Sequence, residues 1–202
     1  MDQYRKTAEE LLKAINTQGK ILFAVLTSEK LYPNYVIFKN INHWGNELIL
    51  KEAISTIYQY LIKQDIYTNE EIQDLIIRVD RITPDTEDFP GILTSFALDA
   101  CTAVFDTLRF IIDQNDQHIV DVAIYARDTV DMFIQEKDDM NSLDPSIDIQ
   151  IEHDEFMIRE KERQKNLIER LSGMNLGVLT NDTINGLKTS QSIIDLSLLP
   201  KS

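Results

Sequence analysis

The chain has 202 residues, 43% of them hydrophobic, with 20 Lys and Arg against 34 Asp and Glu, for a formal charge of −14. That is enough chain for one well-buried core and short for two, so a single domain is expected. The acid surplus disfavours nucleic acid and anionic membrane as partners, because both select basic surfaces.

The surplus is regional. Residues 1–50, 51–110, 111–170 and 171–202 carry balances of +1, −6, −9 and 0, so the negative surface belongs to the middle of the chain. No stretch approaches the roughly 20 apolar residues of a membrane span, and the start of the chain lacks the apolar run of a signal peptide. A cytoplasmic location is the expectation. Cys101 is the single cysteine, so no internal disulfide is available.

Gly and Pro number only 6 and 5, and two-residue alternation is scarce, which points to an all-α chain. A first helix is expected from Asp2 to Ile15, with Tyr4, Ala8, Leu11, Leu12 and Ile15 on one stripe. Thr17 is placed to cap a second helix carrying Ile21, Leu22, Val25 and Leu26, which Pro33 is expected to interrupt. A short helix then follows Pro33 to Ile41. After the loop Asn42-His43-Trp44-Gly45, a helix over Asn46 to Lys63 turns Leu48, Ala53, Ile54, Ile57 and Leu61 inward. Asn69 is read as the cap of a helix over Glu70 to Arg81, and residues 83–91 as an acidic connector.

The most apolar helix runs from Ile92 to Asp113, and its wide stripe, including Phe96, Ala100, Cys101, Val104 and Leu108, marks it as central. Another covers Asp116 to Glu136. Beyond a polar loop, a last long helix spans Ile147 to Leu171, with a run from Arg159 to Asn166 that has no apolar residue and is read as solvated, supported by pairs such as Glu155 with Arg159 and Glu162 with Lys165. The composition shifts at Ser172-Gly173. The domain reading is a bundle of about seven to eight helices of up-and-down type over residues 1–179, with residues 180–202 as a loosely docked or disordered extension.

Chemistry-bearing patterns are sparse. Metal sites in bundles use Glu-x-x-His on facing helices, and the chain has no such pair. His118 and Asp116 lie two apart and point to different faces of a helix, and His153 sits among Glu152, Asp154 and Glu155, which fan around theirs. Asp121, Asp128 and Asp131 recur along one helix and Asp99 and Asp106 along its predecessor; these read as polar stripes, with a facing cation or acid/base pair as the alternative. Asp99, between Leu98 and Ala100, is the acid that solvation does not explain, and a buried carboxyl must find donors or shift its pKa. Cys101 reads as core, since no base is in register with it. No glycine-rich phosphate loop and no Gly-x-Ser-x-Gly occurs, so no cofactor and no metal are expected.

The string Glu29-Lys30-Leu31-Tyr32-Pro33-Asn34-Tyr35, together with Asp99-Ala100-Cys101, Asp148-Ile149-Gln150, Leu167-Ile168-Glu169-Arg170-Leu171 and Asn175-Leu176-Gly177-Val178, resembles the YjaG-like bacterial proteins, a family with a domain of unknown function (DUF416). The resemblance covers residues 5–179 and implies an all-helical bundle in the bacterial cytoplasm, with no activity attached. By that resemblance the charged run 159–166 and residues beyond 179 are where this chain departs from the family pattern.

Two readings of Tyr32-Pro33-Asn34-Tyr35 stay open: a helix corner, or a pocket rim in which Glu29, Tyr32, Asn34, Tyr35 and Asp99 bind a ligand. The functional expectation is a non-enzymatic interaction module whose acidic surface meets a basic protein partner, one concrete version being an antitoxin or immunity role against a basic toxin. The alternative is an enzyme or small-molecule binder at the corner. Tyr58, Tyr60 and Ile62 leave a second apolar face on their helix, compatible with a monomer or a homodimer.

Overall fold

Asn16, Asn46, Thr68, Asn115, Asp154 and Thr180 each stand just before a helix, where a short polar side chain accepts from an otherwise unpaired backbone N–H. The computed structural model describes residues 2–63 and 66–200, so residue 1 and residues 201–202 of the expected extension lie outside the described residues. Among the described residues the fold is all-α, with nine helices: α1 (Asp2–Leu12), α2 (Thr17–Asn42), α3 (Glu47–Ile62), α4 (Asn69–Asp80), α5 (Ile92–Asp113), α6 (Asp116–Lys137), α7 (Ile147–His153), α8 (Glu155–Ser172) and α9 (Asn181–Asn185). The caps fall one residue before two of the expected positions. Asn16 rather than Thr17 caps α2, and Thr68 rather than Asn69 caps α4, where Glu71 reaches back to close a capping box.

Helices α2 and α5 form the centre, flanked by α3, α4, α6 and α8. Small side chains let the two central helices approach: Ala24, Ser28, Ala103 and Thr107 are all fully buried. The two hydroxyls are satisfied within their own helices, Ser28 Oγ donating to Ala24 O at 2.9 Å and Thr107 Oγ1 to Ala103 O at 2.7 Å.

The expected break at Pro33 is absent, and α2 runs through it. An interior proline costs about 3 kcal/mol, whereas full burial of one large apolar side chain contributes about 1.5–3 kcal/mol. Leu31, Tyr35 and Phe38 flank the proline and are each fully buried, so packing outweighs the lost bond. Pro33 itself lies on an exposed side of the helix. The long final helix is corrected in the opposite sense. It breaks at Asp154, whose extended backbone (ψ 143°) ends α7, while its carboxylate accepts from Phe156 N at 2.8 Å to start α8.

In α3, Leu48 is 64% exposed where the stripe reading turned it inward, and Leu50 takes the core position instead. The loop after α2 is held by aromatic packing of Phe38, Trp44 and Phe89, with centroids 5.1–6.2 Å apart. Gly45 there has φ +85°, and a Cβ would overlap the Tyr35 hydroxyl.

The segment read as a loosely docked extension is tied to the bundle instead. Ile184, Leu187, Ile193 and Ile194 are at most 6% exposed. Lys30 donates to the carbonyls of Thr189 and Gln191, and Arg159 to Ile193 O at 2.9 Å. The segment's apolar residues are too widely spaced to show a helical stripe, so the sequence pattern missed their common partner.

Candidate functional site

The five residues singled out around the Tyr-Pro-Asn-Tyr string do not converge. Tyr35 is fully buried and acts as a brace: its hydroxyl donates to Ile82 O at 3.0 Å and accepts from Asn46 N at 3.1 Å, tying α2 to both neighbouring loops. Tyr32 reaches toward Glu47 O at 3.5 Å. Glu29 turns the other way, accepting from Tyr58 Oη and from Lys188 Nζ, both at 2.7 Å. Asn34 is 4% exposed, its amide nitrogen has no partner among the described residues, and it lines a hollow of about 520 Å³ beneath residues 191–197.

Asp99 belongs to the interface of α5 and α6. It is 9% exposed and accepts from Thr129 Oγ1 at 2.7 Å, and burial pushes its carboxyl up to about 7. Cys101 is fully buried, and burial raises its thiol to about 12, far from a thiolate nucleophile at neutral pH.

The remaining candidate acids are absorbed by two networks and one separate ion pair. Asp106 is 8% exposed and accepts from Tyr125 Oη at 3.0 Å, and its Oδ1 lies 2.8 Å from His118 Nδ1. Burial raises its carboxyl, opposed by those two partners. The other ring nitrogen of His118 lies 3.1 Å from Asp113, so the imidazole bridges two turns of α5. Asp128 and Asp131 surround Arg127, which also donates to Glu152 at 3.0 Å. Asp121 pairs with Arg5 at 2.7 Å. His153 bonds its own helix through Ile149 O at 2.7 Å. Among the described residues no three of His, Cys, Asp and Glu are arranged to hold a metal ion.

The polar run in α8 is where the sequence reading fails most. Glu160 is 2% exposed and Gln164 3% exposed. Arg163 closes a two-pronged pair with Glu160 at 2.6 and 2.7 Å, and Gln164 donates to the same carboxylate and to Ala123 O of α6. Burial lowers the Arg163 pKa, but Glu160 more than offsets it and the net shift is upward. The pairs anticipated at Glu155 with Arg159 and Glu162 with Lys165 do not form among the described residues; Arg159 instead stacks over Phe156, 4.5 Å from its centroid.

Two surfaces stand out for function. One is the segment 138–155, with seven carboxylates, no Lys or Arg, and the exposed aliphatic side chains Leu143 (87%) and Ile149 (62%). The other, unforeseen from sequence, is a hollow of about 480 Å³ where Lys30 of α2, Arg163 and Arg170 of α8 and Lys188 meet. Its cations lie far apart in the chain and converge only because the segment after α9 docks.

No helix among the described residues is long and apolar enough to cross a membrane. A crystal structure of a DUF416 family protein from Shewanella baltica is similar to this chain, with a TM-score of 0.78 and 27% identity, covering 88% of this chain and 89% of that one. An uncharacterised protein of Haemophilus influenzae is 23% identical over 133 residues, 65% of this chain and 67% of that protein. The sequence model of the family described as a protein of unknown function (DUF416) matches residues 7–197, so the family pattern takes in the docked segment beyond residue 179 that was read as departing from it. On that match the chain belongs to the DUF416 family.

Proposed function

We propose that the protein is a non-enzymatic binding module that recognises a basic protein partner through the segment joining α6 to α8. The observation that carries this reading is the coexistence, within residues 138–155, of a one-signed charge and two solvent-facing aliphatic anchors, Leu143 and Ile149. Charge of one sign steers a partner of the other, and apolar area at the centre of the contact supplies the tight part of the interface. Asp139, Asp148 and Glu155 have no cationic partner among the described residues and are exposed, whereas Asp138 and Asp154 share Lys137. The burial of Cys101 and Asp99 in the core supports binding over turnover, since neither group is open to a substrate.

The test is binding of an amphipathic Lys/Leu peptide, followed against salt. Affinity falls steeply as ionic strength rises. Neutralising Asp138, Asp139, Asp144 and Asp148 together weakens it by at least about tenfold, and Leu143→Ser weakens it further. Neutralising Glu70, Asp74, Asp85 and Asp88, which are exposed but sit on α4 and the connector after it, leaves it unchanged. Equal losses from the two sets would reduce the effect to net charge and refute the assigned face.

A further inference from the structure

We propose that the hollow between α2, α8 and residues 187–192 is a binding site for a small phosphate monoester. The hollow encloses about 480 Å³ and is lined by Lys30, Arg163, Arg170 and Lys188 against a single carboxylate, Glu29. A positive concavity stands out in a chain of formal charge −14.

Two of the four cations are neutralised by the fold itself. Lys188 pairs with Glu29 at 2.7 Å, and Arg163 with Glu160, which lies behind the lining. The other two are not. Lys30 is held by the carbonyl oxygens of Thr189 and Gln191, and Arg170 by Gly186 O at 3.1 Å, and neither has a carboxylate partner among the described residues. Burial, then the neighbouring Arg163 charge, pushes the Lys30 ammonium below the ordinary lysine range. An anion placed between these groups would remove that crowding.

The class of anion follows from charge, shape and lining. Two uncompensated cations match a phosphate monoester, which carries close to two negative charges at neutral pH. The flat guanidinium of Arg170 offers paired N–H donors to phosphate oxygens, and the Lys30 ammonium acts as a point charge. The volume exceeds that of a bare phosphate and lies within the range of small-molecule sites. Ser190, Ser192 and Asn166 present groups for the hydroxyls of a sugar-sized body, and Leu167 and Leu187 form an apolar wall. This site is separate from the acidic face proposed above and stands without it.

The experiment is thermal unfolding and calorimetric titration of the full chain with ribose 5-phosphate, inorganic phosphate and ribose, at constant ionic strength. Ribose 5-phosphate raises Tm saturably, inorganic phosphate does so more weakly, and ribose does nothing. Arg170→Gln, at an exposed position, keeps the ligand-free Tm and loses at least about tenfold in affinity for both phosphates. Lys30→Gln loses a similar factor, and Lys30→Arg retains most of the binding. The proposal is overturned if neither phosphate gives a saturable response, or if the response survives unchanged in Arg170→Gln and Lys30→Gln.

Discussion

Asp99→Asn tests the physics of the α5–α6 interface directly. Asp99 is 9% exposed, its carboxylate accepts from one side chain among the described residues, Thr129 Oγ1 at 2.7 Å, and its carboxyl is raised from 3.8 to about 7. A carboxyl whose folded pKa lies above its unfolded value contributes fully below the unfolded pKa, near 4, and loses that contribution as pH rises through the folded value. Three units at about 1.4 kcal/mol each set an upper bound of about 4 kcal/mol lost between roughly pH 4 and pH 7. Asparagine keeps an acceptor for Thr129 and never ionises, but its amide nitrogen brings donors that cost about 1–3 kcal/mol if they stay unpaired. The variant is therefore expected to be more stable than the parent at pH 8.5, by about 1–3 kcal/mol, and equal or less stable at pH 4.5. Urea unfolding at the two pH values measures this, with equal m-values confirming that the two-state comparison holds. A difference between variant and parent that is the same at both pH values would refute the reasoning.

Glu160→Gln strips the charge from the buried partner of Arg163, and loss of one member of a buried pair costs about 3–5 kcal/mol. Chemical denaturation should show a loss of that size, and one below about 1 kcal/mol would mean that Arg163 finds water instead. Gly45→Ala places a methyl against the Tyr35 hydroxyl at φ +85°, breaking the brace that holds the loop after α2. A loss of at least about 2 kcal/mol is expected from strain and the broken bonds, partly relieved in the double variant with Tyr35→Phe, and additive losses would show that the two positions do not touch.

What was legible in the sequence was local. Helix α5 runs from Ile92 to Asp113 as its stripe predicts, and the buried states of Asp99 and Cys101 follow from their neighbours in that stripe. The errors share one cause. Pro33 reads as a helix stop because local propensity opposes it, yet Leu31, Tyr35 and Phe38 gain enough burial to carry α2 through. The run Arg159 to Asn166 reads as solvated because it lacks apolar residues. Its charges instead satisfy one another inside the bundle, which no one-helix periodicity displays. The corner residues matter for packing: Tyr35 is a brace, and Asn34 is buried with no partner for its amide nitrogen among the described residues.

The sequence by itself determined the all-α class, the position of most helices and the acidic middle of the chain, because caps, apolar spacing and charge are written within a few residues of one another. Only the tertiary structure decided which charges are spent and which are free. Glu29, Lys30, Arg163, Arg170 and Lys188 are scattered over 160 positions, and whether each meets a carboxylate, a carbonyl or a ligand depends on the docking of residues 187–192 against α2 and α8. Coulomb interactions act through space at a few ångströms, and proximity in space is set by the packing of the core rather than by order along the chain.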